Sequence, residues 1–449
     1  MRKISIILSI VFVALLIDQT AFAQAKTPSL NIKQRTLANG LKVVSLQDNS
    51  SPNVTVQVTY DVGSVNDPNG RNGFAHLFEH IMFKSTKNLK SEQFDRLTED
   101  VCGYNNANTS DDVTNYFEII PSNYLETLLW AEAERLKNLT VDEVNFKSER
   151  AVVEEEFRQS VLAQPYGEFE EAIQKLSYEK HPYKRTTIGT IEDLDTATVQ
   201  DVQDFHSMFY RPDNATLIVV GDFDQAQLDA WVDKYFGSIP KPSGAIPRVT
   251  VIEPERASEK REIVKAPNVP LPAVAITYLA PDSRNKDAAA LQVAEAILSG
   301  GKSSRLYQDL VYQQQIAQSA SFNFDERVGQ GLLYFTATLA GGKSPETAEK
   351  SLLAELKKIQ DAPVSAMELE KAKNVLVAND LRRLETNEGK AFAIGRAVIL
   401  RDDPNYVNTQ FKDIQAVTAA DVQRVMKKYF TDTNRVVIYY LNDDAKEAK

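Results

Sequence analysis

The chain contains two copies of one sequence pattern, and this repeat limits the possible folds more than any other feature. DLDTATVQDVQDFHSMFYRPDNATLIVV begins at Asp193, and the similar DIQAVTAADVQRVMKKYFTDTNRVVIYY begins at Asp413. Five residues recur 220 positions later without a gap: Thr198, Asp201, Val202, Gln203 and Asn214 become Thr418, Asp421, Val422, Gln423 and Asn434. Upstream the offset is 224: Pro121, Leu128, Leu129 and Lys147 match Pro345, Leu352, Leu353 and Lys371. A duplication explains both offsets, so we predict two halves of the same fold.

Each half shows patterns of both strands and helices. The stretches LKVVSLQ and NVTVQVTYDVG are rich in β-branched residues, as strands are. Apolar residues at helical spacing follow Pro121 and Pro345, which predicts a helix at each place. We therefore predict the α+β class, with two homologous α+β domains that each pack helices on a mostly antiparallel sheet. Because GSIPKPSGAIPRV is rich in Pro, Gly and Ser, we place the first domain at 24–240, a linker at 241–261 and the second domain at 262–449.

The first residues indicate that the protein is exported. Two basic residues precede an apolar run from 4 to 17, and the tripeptide AFA at 21–23 has the small residues of a signal peptidase site. We predict a signal peptide at 1–23, cut after Ala23, and a periplasmic or otherwise exported chain with no stable membrane span afterwards. The alternative is an uncleaved anchor, for which the run is short. Cys102 is the only cysteine, so the cores must stabilise the exported chain without an internal disulfide.

The charge balance argues against nucleic acid as a partner. The chain has 51 basic and 62 acidic residues, which gives a formal net charge of -11. It also has no long run of one sign that would serve as a polyanion-binding arm. We therefore expect no nucleic acid partner.

Two of the four histidines stand one helical turn apart in GFAHLFEHIMF, at 73–83. A helix places residues i and i+4 on one face, so His76 and His80 can bind one ion with Glu79 beside them. Imidazole is a preferred zinc ligand, and a catalytic zinc takes three protein ligands. We predict one Zn²⁺ per chain, with Glu79 as the catalytic base that moves a proton from the attacking water to the leaving amine. The competing interpretation, an ordinary polar helix face, would leave these groups without partners among apolar neighbours.

The third ligand must come from another segment. SERAVVEEEFRQ, at 148–159, offers several carboxylates on an expected helix. Glu149, Glu154, Glu155 and Glu156 are competitors for this role, and the spacing leaves the choice among them open.

Six segments resemble the pitrilysin/insulinase family of zinc metallopeptidases, in particular its two-domain members related to mitochondrial processing peptidases. The segments are LANGLKVV, GFAHLFEHIMFKST, CGYNNANTSDDVTNY, ERAVVEEEF, HPYKRTTIGT and GGKSSRLYQDL, and the resemblance covers nearly all of the mature chain. The resemblance implies a zinc-dependent endopeptidase that hydrolyses short, unstructured peptides in an enclosed chamber. It also implies Glu156 as the third metal ligand and Glu149 as an auxiliary catalytic glutamate.

The resemblance also implies where the substrate binds. GYNNANTSDDVTNY is similar to the edge strand of the family's active site, to which an extended peptide adds through its main chain. Asn106, Ala107 and Asn108 are then the substrate-binding residues nearest the scissile bond. His181 and His206 are not at ligand spacing from the motif, so we expect both to be structural.

The second half departs from the family pattern. It contains no histidine, so we expect no metal site there. Self-sufficient members have an arginine and, seven residues later, a tyrosine that hold the substrate and stabilise the oxyanion, whereas this chain has Val311 and Gln318. We therefore expect a heterodimer in which a homologous subunit supplies the arginine and tyrosine. The alternatives are a homodimer with other oxyanion donors and a non-catalytic structural subunit.

Overall fold

The first half is built on a six-stranded sheet. The structure is a computed structural model that describes residues 29 to 443, and the predicted signal peptide lies outside these residues. The strands are β1 (Lys33–Thr36), β2 (Lys42–Gln47), β3 (Asn53–Tyr60), β4 (Tyr104–Thr109), β5 (Thr114–Pro121) and β6 (Ala215–Gly221). Their order is β1-β2-β6-β3-β5-β4, and of the neighbouring pairs only β2 and β6 are parallel.

Helices of the first half connect and cover these strands. They are α1 (Phe74–Ile81), α2 (Gln93–Glu99), α3 (Leu125–Asn138), α4 (Glu143–Phe157), α5 (Gly167–Ser177), α6 (Ile191–Asp195), α7 (Val199–Phe209) and α8 (Gln225–Phe236). A 3₁₀ turn, Ser64–Asn66, precedes α1, and a π-helical turn, Arg158–Leu162, extends α4. The Asp142 side chain accepts the backbone N–H of Asn145 and so fixes the start of α4.

The second half repeats this plan with five strands. They are β7 (Lys260–Ala266), β8 (Ala273–Leu279), β9 (Ala317–Asp325), β10 (Leu332–Leu339) and β11 (Val436–Asn442), in the order β7-β11-β8-β10-β9. Only β7 and β11 are parallel among the neighbouring pairs. The helices are α9 (Ala288–Ser299), α10 (Pro345–Asp361), α11 (Ala366–Arg383), α12 (Asn387–Arg401), α13 (Tyr406–Ala416) and α14 (Ala419–Tyr429). The predicted α+β class with two similar, mostly antiparallel halves is confirmed.

The repeat is visible in matching hydrogen bonds at the starts of α7 and α14. Thr198 Oγ1 accepts the backbone N–H of Asp201 at 3.2 Å, and the Asp201 carboxylate accepts the Thr198 N–H at 2.9 Å. Thr418 and Asp421 make the same reciprocal pair, with both distances at 3.1 Å. These capping boxes satisfy N–H groups that the first helical turn leaves without partners. The same local chemistry therefore starts the same helix in both halves.

Each half lends one helix to the sheet of the other half. α5 packs on β8 and β11, where the rings of Phe169 and Tyr440 lie 5.1 Å apart. α12 packs on β3 and β6, where Lys390 forms an ion pair with Asp48. The two halves are thus interlocked, a feature that the prediction of two domains joined by a linker does not contain.

The connection between the halves is irregular from residue 237 to 259. β7 begins at Lys260, two residues inside the segment predicted as the linker. The boundaries 24–240 and 262–449 remain predictions. In the part of the chain from 29 to 443, no helix has the length and apolar character that crossing a membrane requires.

Candidate metal centre

Helix α1 turns one face into the core of the first half and keeps the histidine motif on the other. The buried face consists of Phe74, Ala75, Leu77, Phe78 and Ile81, all members of the first core. Because 3.6 residues make one turn, His76, Glu79 and His80 stand together on the opposite side. The helix predicted for this motif is confirmed.

The N-terminus of α1 is fixed by a buried carboxylate. Asp67 accepts the backbone N–H groups of Gly73 at 2.7 Å and Ala75 at 2.9 Å, which would otherwise lack partners. Gly73 has a φ of 94°, and a side-chain carbon there would lie 2.6 Å from the carbonyl oxygen of Ile188. Only glycine allows this approach, so the direction of α1 depends on that residue.

Helix α4 brings Glu156 to the two histidines. Glu156 Oε2 lies 3.7 Å from His76 Nε2 and 3.5 Å from His80 Nε2. Ligand atoms of the three residues all lie within 4.8 Å of one another, and among residues 29 to 443 no other group of three such side chains has this spacing. The structure thus brings together the three residues predicted as metal ligands.

The spacing of these atoms fits a tetrahedral metal ion. Two ligand atoms about 2.0–2.1 Å from zinc lie about 3.4 Å apart at a tetrahedral angle. The observed separations of 3.5 and 3.7 Å are close to that value and longer than a good hydrogen bond. Two imidazoles and one carboxylate are also a donor set of known catalytic zinc sites. His76, His80 and Glu156 could therefore hold a zinc ion.

The electrostatic environment keeps two of these residues, His76 and Glu156, in the forms that bind metal. Burial, with a smaller contribution from His80, lowers the pKa of His76 to about 4, so its imidazole is neutral at neutral pH. The interaction with His80 lowers the pKa of Glu156 against the effect of its partial burial. A neutral imidazole and an ionised carboxylate need to lose no proton before they coordinate a cation.

Glu149 lies on the other side of His80. Its Oε2 atom is 3.8 Å from His80 Nδ1, and its Oε1 atom is 2.8 Å from Lys84 Nζ. The Glu149 side chain is only 6 % exposed, so Lys84 supplies the charge that a buried carboxylate needs. A carboxylate at the second nitrogen of a ligating histidine orients the ring. Glu149 lies beside the second nitrogen of His80, at a separation longer than a good hydrogen bond, and outside the group of three donors.

Glu79 has a protonatable carboxylate close to the donors but outside their group. Its Oε2 atom accepts a hydrogen bond from the Thr109 hydroxyl at 2.5 Å. Burial raises the pKa of Glu79, while the Thr109 hydroxyl opposes that rise. A raised pKa suits a residue that must accept a proton and release it again.

The competing residues are engaged elsewhere. Glu154 lies 3.4 Å from Arg150 and 3.3 Å from Arg158, and Glu155 lies 3.5 Å from Arg158. The structure therefore favours neither as a ligand. The other two histidines are also apart from the donors: His181 accepts a backbone N–H at the start of a 3₁₀ turn, and the His206 ring stacks on Phe78 at 5.3 Å.

The strand predicted to bind substrate is the outermost strand of the first sheet. β4 pairs with β5 alone, so its other edge is open to an added strand. Asn106 and Asn108 are exposed on it, with Ala107 half-buried between them. Thr109, at the end of the same strand, is the residue that contacts Glu79.

Val311 and Gln318, which depart from the family pattern, carry no charged group. The hydrophobic core of the second half is the core nearest to them. Val311 lies in the π-helical turn Tyr307–Gln313 and packs partly against that core, and Gln318 is exposed on β9. Arg305, a nearby arginine, is held by Glu368 through hydrogen bonds of 2.8 and 3.1 Å.

Comparison with known proteins gives the family. Residues 42–191 match the family described as Insulinase (Peptidase family M16), and residues 196–376 match the Peptidase M16 inactive domain. The chain is 33 % identical over 408 residues to zinc protease PqqE of Helicobacter pylori, which covers 90 % of this chain and 91 % of that protein. The chain belongs to peptidase family M16. The resemblance seen in the sequence is thereby confirmed.

Other members of family M16 resemble this chain along most of its length. The probable mitochondrial-processing peptidase subunit beta of Arabidopsis thaliana is 24 % identical over 404 residues, which cover 88 % of this chain and 76 % of that protein. The crystal structure of a protease from Helicobacter pylori superposes with a TM-score of 0.88 at 31 % identity, covering 92 % of this chain and 99 % of the other. The match spans both halves, which confirms the two-domain M16 architecture.

Three residues around the M16 site were not found by sequence reasoning: Asp67, Lys84 and Thr109. Lys84 follows His80 by four residues, so helical spacing could have suggested that it lies near the motif. Thr109 lies in the segment already assigned to the substrate strand, but nothing in its pattern links it to Glu79.

Proposed function

We propose that this M16 chain is a zinc-dependent endopeptidase that binds one zinc ion through His76, His80 and Glu156. The observation that supports this proposal is the convergence of their ligand atoms within 4.8 Å. Bound zinc would act as a Lewis acid and lower the pKa of a water molecule towards neutrality. Names of relatives such as zinc protease PqqE agree with this activity.

The surrounding residues take separate roles in the proposed reaction. Glu79 accepts the proton of the attacking water and passes it to the leaving amine. Glu149 holds the ring of His80 in position. Asn106, Ala107 and Asn108 receive the substrate main chain as an added strand, which requires an extended, unstructured peptide.

We also propose that a homologous subunit completes the active site. Val311 has no polar group, and Gln318 carries only a neutral amide in place of the family's tyrosine. An arginine and a tyrosine from a second chain would stabilise the charge that develops on the carbonyl oxygen. One relative, the mitochondrial-processing peptidase subunit beta, is itself named as a subunit. A homodimer with other donors is the alternative, and the complete donor set argues against a purely structural subunit.

Export of the chain is a further part of the proposal. It depends on the predicted signal peptide at 1–23. Peptides in a periplasm or a similar compartment would then be its substrates.

Metal binding provides the first test, with Glu156→Gln and Glu155→Gln as matched variants. Glu156→Gln removes the charged oxygen donor, so we expect zinc affinity to fall by more than the 10- to 100-fold that loss of a supporting residue causes. Glu155→Gln changes a 56 % exposed side chain on the same helix and should retain one zinc per chain. Metal content after gel filtration and competition with a chelator measure both. Equal zinc binding by the two variants would refute Glu156 as a ligand.

The need for a partner can be tested within this chain. Val311→Arg combined with Gln318→Tyr restores the family pattern, and we expect turnover of a fluorogenic peptide to rise by at least about tenfold, since one oxyanion donor contributes about 10²- to 10³-fold. Tyr312→Arg with Ser319→Tyr introduces the same side chains one position away and should give no gain. Strong turnover by the strictly monomeric wild-type chain would contradict the requirement for a partner.

A further inference from the structure

Arg327, in the connection between β9 and β10 of the second half, reaches into the first half. It is 3 % exposed, and its Nη1 atom lies 3.3 Å from the carboxylate of Asp111 in the first half. It also pairs with Asp325 at 2.6 Å, and its guanidinium lies 4.7 Å from the centre of the Tyr183 ring. A buried guanidinium is stabilised only by such paired charges, so this contact has a defined geometry.

The same connection makes two backbone hydrogen bonds across the halves. Val328 donates its N–H to Asp112 Oδ2 at 2.9 Å, and Gly329 donates its N–H to the Tyr183 hydroxyl at 2.9 Å. The Tyr183 hydroxyl in turn donates to Asp112 Oδ1 at 2.5 Å. We call this group the hairpin lock, consisting of Asp111, Asp112, Tyr183 and Arg327.

The hairpin lock holds the turn that joins β4 to β5. That turn, residues 110 to 113, begins directly after Thr109, the residue that donates to Glu79. Its backbone also holds the segment ahead of α1: Ser64 donates to the carbonyl of residue 110 at 3.1 Å, and Val65 donates to that of residue 111 at 2.9 Å. The turn at 110 to 113 therefore contacts two segments that lead to the site. One is β4, which ends at Thr109, and the other is the segment that precedes α1.

The segment ahead of α1 leads on to the helix that carries His76 and His80. The 3₁₀ turn Ser64–Asn66 leads directly to Asp67, which caps α1 through Gly73. Gly63, just ahead of that turn, packs so closely that an added side-chain carbon would lie 2.4 Å from the carbonyl oxygen of residue 110. Such close packing transmits a displacement of the turn to the start of α1.

We propose that Arg327 is a positioning residue through which the second half, which contains no histidine, holds Glu79 and the substrate strand of the first half in place. The proposal rests on the peptidase function proposed above. Arg327 acts through Asp111 and the turn at 110 to 113, and it touches neither the donor atoms nor the site of the substrate strand. The second half therefore contributes to the reaction geometry of this chain beyond any partner subunit.

Arg327→Met and Lys390→Met form a matched pair for the test. Both remove a buried cation that crosses between the halves, but Lys390 pairs with Asp48, between β2 and β3, away from the hairpin lock. We expect Arg327→Met to lower kcat by about 10- to 100-fold, because a small misplacement of reacting groups has an effect of that size. Zinc content should remain at the wild-type level, and any rise of KM from a shifted substrate strand should be smaller than the loss of kcat. An equal loss of kcat in both variants, or a rise of KM at constant kcat, would overturn the proposal.

Hydrogen exchange of the zinc-free protein tests the lock without any activity. We expect amides of residues 104–119 and 63–75 to exchange at least about tenfold faster in Arg327→Met than in Lys390→Met, since loss of local structure is what exchange reports. Unchanged exchange in these segments would overturn the proposal. If the wild type has no peptidase activity, the proposed function fails, and this measurement still decides whether Arg327 holds the turn.

Two milder variants keep the test valid if Arg327→Met does not fold. Tyr183→Phe removes only the hydroxyl that joins Asp112 to Gly329 and should lower kcat by about 3- to 10-fold with the same exchange pattern. Arg327→Lys keeps the positive charge but lacks the planar guanidinium group that pairs with both Asp111 and Asp325. Its kcat should therefore lie between those of the wild type and Arg327→Met. Wild-type kcat and exchange in Tyr183→Phe would count against the lock.

Discussion

Replacement of Glu79 by glutamine is expected to lower kcat for peptide hydrolysis by about 10²- to 10⁴-fold, the usual contribution of a general base. Glutamine has nearly the same shape and can still accept the hydroxyl of Thr109, so the local structure should persist. It cannot take up a proton, and the transfer from water to the leaving amine is lost. Because Glu79 lies outside the three-residue donor group, zinc content should stay at the wild-type level.

Steady-state kinetics with a fluorogenic peptide and metal analysis of the same samples measure this result. Glu155→Gln serves again as the control, since it removes an equal charge from an exposed position and should retain full activity. Loss of zinc in Glu79→Gln would identify Glu79 as a ligand rather than the base. Retained turnover with bound zinc would exclude Glu79 from the proton transfer.

The two candidate histidine ligands could be predicted because helical spacing determines which side chains share a face. His76, Glu79 and His80 are set by the pitch of one helix, and the apolar residues between them require the opposite face to be buried. Glu156 is different, since its helix lies in another segment and spacing leaves four glutamates in competition. The family resemblance selected Glu156, and the structure brings that residue to the histidines.

Contacts between distant segments could not be predicted from local patterns. Asp67 and Gly73 meet because the chain turns between them, and Arg327 reaches Asp111 across 216 residues of sequence. Local patterns likewise do not predict that α5 packs on the sheet of the second half and α12 on the sheet of the first half. Periodicity shows which face of a helix is apolar, but it does not show which half of the chain provides the sheet that covers that face.

The repeat also indicates how the second half differs chemically from the first. At the offset of 224 residues, Glu156 corresponds to Asp380, which lines a cavity together with Glu326, Arg396 and Arg401. Both arginines pair with Glu326, at 2.6 and 2.8 Å. Where the first half gathers two imidazoles beside a carboxylate, the second half gathers guanidinium groups. The absence of a metal site from the second half stays a prediction.

A buried cluster beside the first sheet gives the second large expected effect, on stability. Arg135 of α3 lies 2.5 Å from Glu132 and 3.1 Å from Glu118 of β5, and all three side chains are at most 1 % exposed. The Arg135 guanidinium also lies 4.2 Å from the ring centre of Phe94. Burial and the charge of Glu132 raise the pKa of Glu118 well above its usual value, because one cation serves two carboxyl groups.

Arg135→Met is expected to lower the free energy of unfolding by about 3–5 kcal/mol near neutral pH, since it leaves buried carboxyl groups without their cation. A carboxyl whose pKa is raised in the folded state binds more protons folded than unfolded, so stability falls as pH rises above its unfolded value. Removal of Arg135 raises the pKa of Glu118 further, so the deficit should be larger at about pH 7.5 than at about pH 5. Glu118→Gln imitates the protonated carboxyl and should cost less than about 1 kcal/mol.

Urea unfolding followed by tryptophan fluorescence measures these differences, because both tryptophans, Trp130 and Trp231, lie in helices of the first half. Arg135 contacts Glu118, Glu132 and Phe94 and none of the three candidate metal ligands, so zinc-free protein should show the same ranking as zinc-loaded protein. A cost for Glu118→Gln equal to that for Arg135→Met would mean that Glu118 is ionised in the folded chain. In that case the cluster would be a net anionic site, and the deficit of Arg135→Met would shrink more steeply between about pH 7.5 and about pH 5, because Glu118 would then take up its proton only after Arg135 is removed.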